Sequence, residues 1–485
     1  MSNRILIPIS LLLLAALLSN SCGETNDSRE TTSPVSSDST PAVETPKGLL
    51  YTTSAEEAGK LGLDGYEFNV YIRSEGTWEN PDLYSAEENG DNFNDAVYRR
   101  RIKLEDTFGF TIKQTYSANT YLNELGTLVL AGDDTFDCAF PMARQAATDA
   151  QKGVLCDLNT LNYINLDSDI WARTFNETLS FDGKQFFAAG DISTNSFDSI
   201  RTFMFNKELL AKYNLESPYE LVRSGKWTLD KLNEMVAKVS LDINGDSKMT
   251  ADDQWGMAWQ SAINGNILFY GCDEHLTIKG QDDIPKLVIG NQRSYDVFQK
   301  IQKQISDSDL YFLGGDTEIK DIFKAGRSLF LTEVLYHVKT FRDMEIDFGV
   351  IPSPKYDESQ ESYMQYVDSW CPSPVVIPKT VKNLDRAAFF VQLLAESGRE
   401  FIRDEYYEKS ISSKSLRDEE SVEMLDIIVN NYVLDNAVIY SWGGLSDAFK
   451  NSFTGSEGLA SLLATYQSAC EAAIDATAKA YSELE

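Results

Sequence analysis

Histidine is almost missing: His275 and His337 are the two in 485 residues. No HExxH occurs, so a His-based metal site or catalytic triad has little to build on. GxGxxG, a P-loop and GxSxG are also absent, which removes the usual signatures of dinucleotide binding, nucleoside triphosphate binding and serine hydrolysis. Cysteine is sparse. Cys22, Cys138, Cys156, Cys272, Cys371 and Cys470 stand far apart with no CxxC, which argues against a zinc ribbon or a dithiol redox motif. Free buried thiols are expected, with a Cys138–Cys156 bridge as the alternative. Positive charge is in deficit: 43 Lys and Arg face 75 Asp and Glu, a formal net charge of −32. That balance argues against nucleic acid, anionic lipid surfaces and strongly acidic ligands. No repeat of 20–50 residues is present.

What is there begins with Arg4 and the apolar run Ile5–Leu18, long enough for the core of an export signal and too short for a membrane-spanning helix. Small polar residues then lead to Cys22, as in a bacterial lipobox. Residues 1–21 are therefore expected to be a lipoprotein signal peptide and Cys22 to carry the lipid. An ordinary secretory signal with an incidental Cys is the other reading. Acyl chains contribute about 0.8 kcal/mol per buried methylene, so two or three anchor a chain stably. Residues 22–65 are expected to form a flexible stalk, because 23–47 are rich in Ser, Thr, Glu and Pro and bring almost no apolar surface.

The body opens with period-two alternation over Tyr66–Tyr71, a strand. Val97, Arg101, Leu104 and Phe108 fall at helical spacing, and Gly109 suits the helix end. Phe110–Tyr116 reads as a strand, Tyr121–Leu130 as a helix and Thr135–Phe140 as a short buried strand, the β-α-β-α-β order of a parallel sheet. Extended segments are expected at 185–189, 199–206, 326–333, 348–352 and 375–378. Helices are expected at 207–213, 228–239 with Thr228 as N-cap, 295–307 and 459–477.

Several stretches together resemble one family. They are Asn94–Arg100, Met204–Leu210, Gly225–Asp230, Asp242–Asp246, Phe323–Phe330 and Phe348–Lys355, in this order and behind a lipobox. The chain resembles the extracellular solute-binding proteins of bacterial ABC importers, in the carbohydrate-binding, maltose-binding-protein-like branch. The resemblance implies an α/β, two-lobe, type II periplasmic-binding-protein-like fold, each lobe a mixed sheet flanked by helices and joined by crossing hinge strands. It places 66–190 and 329–374 in lobe 1 and 200–325 and 380–485 in lobe 2, with hinges at 190–200, 326–333 and 375–380. It implies no enzyme and no catalytic cofactor. The expected function is capture of a carbohydrate, an oligosaccharide above all, between the lobes and delivery to permease subunits. The protein would be a monomer, lipid-anchored to the outer face of the cell membrane.

Sugars present apolar C–H faces ringed by hydroxyls, so a site for them needs aromatic platforms beside carboxylates and amides. Trp78 with Asn80, Trp259, Asp368 with Trp370, and Trp442 lie in or beside loops that suit this. For each Trp, core packing is the competing reading. The resemblance adds Phe140 and Arg144 after the third strand, Asp191 and Asn195 in the crossover, and Glu333, for which a strand-end salt bridge is the competing reading. The spacing Asp242-x-Asn244-x-Asp246-x-Lys248-x₄-Asp253 matches an EF-hand-type loop that takes a structural calcium, Lys248 through its carbonyl. Ser247 stands where such loops favour Gly, and a solvated acidic turn is the alternative. A glycan-degrading enzyme would need two flanking carboxylates, and no local signature singles out a pair. A surface glycan-binding lipoprotein and a peptide or polyamine binder on the same fold are the remaining rivals.

Overall fold

The structure, a computed structural model, describes residues 48–260, 263–307, 309–367, 369–406, 416 and 418–484. Cys22, residues 1–21 and Asp368 lie outside the described residues.

Two sheets organise the body. In the first, β1 (Glu67–Ile72) lies between β2 (Thr111–Tyr116) and β3 (Cys138–Phe140), all parallel, with Val70 opposite Gln114 on one side and Cys138 on the other. Parallel neighbours need a crossover, and the helix Asn92–Phe108 supplies it. Asp91 accepts hydrogen bonds from the Phe93 and Asn94 amides to start that helix, and Gly109 at φ 75° ends it. The helix Leu384–Gly398 seals the sheet: Phe390 stacks on Phe68 with centroids 3.9 Å apart, both rings fully buried.

In the second sheet, β4 (Arg201–Asn206) and β5 (Trp255–Gln260) are joined by further strands beyond a hairpin, β6 (Thr277–Lys279) with β7 (Pro285–Leu287). These are β8 (Tyr311–Gly314), β9 (Ser328–Val334) and β10 (Phe348–Ile351), in the order β10-β4-β9-β5-β8. β4 runs antiparallel to both its neighbours, whereas β5 is parallel to β8 and β9, so the sheet is mixed. The helix Leu229–Val239 starts at Thr228, whose side chain accepts from the Lys231 amide, and buries Leu229, Leu232, Met235, Val236 and Val239.

Two expected boundaries are corrected. Residues 329–351 belong to the second sheet, because β9 and β10 flank β4 there, while Val375 and Val376 bridge to Ala188 and Ala139 beside the first sheet, as 384–398 packs on it. Residues 48–65 are no stalk. They form the helices Leu49–Thr52 and Ala55–Leu61, and Leu50, Leu61 and Leu63 enter the first sheet's core, enough apolar surface to hold the segment down. The five cysteines within the described residues are buried, and Cys138, Cys156, Cys272 and Cys470 form no disulfide.

Candidate functional site

Side chains from the loops after β1 and β3 meet the segment 369–373. Arg73 follows β1 directly and is 1% exposed. Its guanidinium donates to Ser373 Oγ at 3.1 Å and the Trp370 carbonyl at 3.4 Å, and pairs with Glu79 at 3.5 Å. These bonds hold Trp370 beside Tyr121, edge to face with centroids 5.5 Å apart. Both remain open to solvent, 38% and 40% exposed.

Arg144, in the first turn of the helix Ala143–Gln151, places its guanidinium carbon 5.3 Å from the Trp370 ring centroid. The same guanidinium forks onto Asp447 at 3.2 and 3.0 Å, and Ser441 Oγ donates to that carboxylate at 3.0 Å. Burial pushes the Asp447 carboxyl up, but the Arg144 and Ser441 hydrogen bonds and the Arg144 charge outweigh it, so its pKa lies below the usual range.

The 73–80 loop joins this patch to the second sheet. Trp78 stacks on Tyr336, just beyond β9, with centroids 4.5 Å apart. Asn80 fixes the loop by donating to the Ser74 carbonyl at 3.0 Å. Behind Tyr336, Glu333 is buried against three basic groups: His337 at 2.9 Å, Lys320 at 3.0 Å and Arg201 at 3.6 Å. Burial alone would raise its pKa, yet the His337 hydrogen bond with the charges of Arg201, His337 and Lys320 brings it to about 2.

Of the residues singled out from sequence, Trp78, Asn80, Arg144 and Trp370 fall on this patch, and Glu333 lies beneath it. Phe140 and Trp259 are fully buried, Trp259 stacked on Tyr311 at 5.1 Å. Trp442 is interior too, donating through Nε1 to Thr477 Oγ1 at 2.9 Å. Asp191 is buried with Arg399 and Arg403, and Asn195 spends its amide on Cys371 O and Ser373 N, so both brace the crossover. Sequence reasoning missed Arg73, Tyr121, Tyr336 and Asp447. The first stands directly after a strand, in a position that faces ligand in α/β proteins. Asp447 had no local signal.

Larger concavities lie elsewhere. One of about 480 Å³ is lined by Glu177, His275, Lys279 and Asp283, and one of about 430 Å³ by Asp167, Trp171, Arg173 and Gln185. Lys279 in the first already binds Asp283, the Ser180 hydroxyl and the Glu177 carbonyl, so its charge is satisfied internally. The aromatic patch, with its rings positioned by Arg73 and Arg144, is the better candidate for a ligand with an apolar face.

In the 242–253 loop, Ser247 adopts φ 65°, which lets Asp242 accept from the Ser247 amide at 2.8 Å and the Gly245 amide at 2.7 Å. Asn244 and Asp246 accept from the Asp246 and Lys248 amides, and Asp253 from the Ile243 and Thr250 amides. Among the described residues no three His, Cys, Asp or Glu side chains converge as a metal-binding group.

Residues 101–399 match a family model described as bacterial extracellular solute-binding protein. No curated protein matches the chain. Solved structures do at low identity. An ABC substrate-binding protein of Listeria monocytogenes in complex with cycloalternan is 16% identical, with TM-score 0.54 over 87% of this chain and 100% of that one. The cyclic alpha-maltosyl-1,6-maltose binding protein of Arthrobacter globiformis is 16% identical, with TM-score 0.55 over 86% and 97%. UgpB of Mycobacterium tuberculosis, in complex with glycerophosphocholine, is 13% identical, with TM-score 0.57 over 84% and 98%.

Proposed function

The chain belongs to the bacterial extracellular solute-binding proteins, and from that premise we propose that it captures an oligosaccharide between its two sheets for an ABC importer. The observation that carries the reading is the open Trp370–Tyr121 pair, edged by the Arg144–Asp447 fork. An aromatic face stacks on sugar C–H groups, while guanidinium and carboxylate take the hydroxyls around them. Cycloalternan and cyclic maltosyl-maltose, which appear in the names of two structural neighbours, are ligands of this chemistry. The output is binding rather than bond cleavage: ligand contacts that form only when the lobes close shift the population to the closed state, which permease subunits read.

The protein works outside the cytoplasm, tethered through a lipid on Cys22; the apolar run 5–18 and the small residues before Cys22 support the tether. No helix among the described residues is long and apolar enough to cross a membrane. The 242–253 loop takes a structural calcium, supported by its oxygen-bearing side chains and the left-handed turn at Ser247.

The test is a thermal-shift and calorimetric screen of oligosaccharides, peptides, polyamines and glycerophosphodiesters. Ligand at 100 times its Kd should stabilise the fold by about 2.7 kcal/mol. A shift with one glycan class, recovered uncleaved, supports the reading. Cleavage of the glycan, or a shift with another ligand class alone, overturns it.

A further inference from the structure

The crossover between the sheets brings two carboxyls onto one hydroxyl. Thr194 Oγ1 lies 2.9 Å from Asp82 Oδ2 and 2.9 Å from Asp198 Oδ2. The Tyr406 hydroxyl bonds to Asp198 Oδ1. Three oxygen–oxygen hydrogen bonds need three protons, and the two hydroxyls supply two. The third must sit on a carboxyl. We infer that Asp82 and Asp198 share a proton through Thr194, and that releasing it loosens the loop carrying Trp78 from the crossover, so that opening of the cleft is linked to pH.

The placement of the pair gives the link its mechanical meaning. Asp82 belongs to the loop after β1, the loop in which Trp78 reaches across to Tyr336. Asp198 closes the short helix Asn195–Asp198 and is 2% exposed, three residues before β4 enters the second sheet. Tyr406 reaches in from the chain beyond the helix Leu384–Gly398. A cavity of about 10 Å³, roughly one water, lies beside Thr194 and Tyr406, so the crossover has little slack to absorb a repulsion.

The surrounding charges act in both directions. Lys339 approaches from the second sheet's side, its ammonium 3.7 Å from the Tyr336 ring centroid and 5.5 Å from that of Tyr406. Arg100, 1% exposed, donates to the Asp82 carbonyl from the helix Asn92–Phe108. Arg403 covers Phe197 at 5.8 Å. Lys339 acts on both carboxyls and Arg100 on Asp82, each lowering the pKa, yet burial outweighs them: Asp82 is raised, and Asp198 is raised from 3.8 to about 6.

The sign follows from these values. Bridged, the pair keeps its proton to about pH 6; separated, each carboxyl would lose it near 3.8. The separated, open form therefore gains about tenfold per pH unit as pH rises from 3.8 toward 6, and the gain levels off above 6. Mild acid holds the Trp78 loop to the crossover; neutral pH releases it.

The inference rests on the cleft being the ligand site, but its test needs no ligand. Spin labels on cysteines placed at exposed Lys113 and Lys238 of the full chain would report the distance between the lobes by pulsed electron resonance. We expect the open-to-closed ratio to rise about fivefold from pH 5 to 6 and about tenfold from pH 5 to 7, where it levels off. Asp198→Asn and Asp82→Asn should each remove the step, and infrared spectra should show a protonated carboxyl at pH 5 in the parent protein and lose it in both variants. If one variant fails to fold, the other carries the test. A pH-independent distance, or a step that survives both substitutions, overturns the inference. A pH step without any sugar binding would instead sink the ligand reading and leave the hinge standing.

Discussion

Arg144 occupies one face of Trp370, its guanidinium carbon 5.3 Å from the ring centroid, while the same guanidinium forks onto Asp447. A sugar ring that stacks on this face has to displace the arginine; one that stacks elsewhere finds the arginine ready to bond its hydroxyls.

Trp370→Ala should separate binding from stability. The ring is 38% exposed, so its loss leaves the melting temperature within about 2 °C, while sugar affinity falls about tenfold or more. Calorimetry and a melting curve on the same sample check both halves.

Glu333 makes the fold sensitive to acid. Its folded pKa of about 2 lies below the ordinary 4.5, so its stabilising contribution is complete above 4.5 and is lost as pH falls toward 2. The difference corresponds to about 3 kcal/mol. Urea unfolding of the parent and of Glu333→Gln at pH 5 and pH 3 measures it. The Gln variant should start roughly 3–5 kcal/mol less stable, with Arg201 and Lys320 left facing a neutral amide, and should decline less between the two pH values.

How much of this was legible beforehand depended on sequence distance. The strands of the first sheet and the helix between β1 and β2 could be read because alternation, helical spacing and the C-terminal glycine are local signals. Sheet membership could not. An apolar run such as Leu329–Leu331 fits either sheet equally well, and the pairing of Phe330 and Leu331 with Phe205 and Met204 is decided over more than a hundred residues. The tryptophans show the same limit in the site. Residue type marks Trp78, Trp259, Trp370 and Trp442 alike, but only packing decides that two are interior. Asp447 enters the site through a partner 303 residues away.

Gly398 should tolerate no side chain. A Cβ there would stand 1.8 Å from the Asp191 carbonyl oxygen, so helix and crossover would have to part. Gly398→Ala is expected to destabilise by roughly 1–3 kcal/mol, measured by chemical unfolding.

The 242–253 loop predicts a response to calcium. Melting temperature should rise with calcium and fall again with chelator in the parent chain, and Asp242→Ala should abolish the difference. No response in the parent would leave the loop as a hydrogen-bonded turn held by Asp242 and Asp253.

The stacked pair Phe68 and Phe390 has a consequence for how the chain is made. The first sheet is laid down early in synthesis, yet its sealing helix arrives more than three hundred residues later, after most of the second sheet has emerged. Contacts this distant close slowly, so the nascent chain stays unable to lock its first core until translation is nearly finished. For the export proposed above, that delay is an asset: the chain remains threadable while the ribosome is still feeding it.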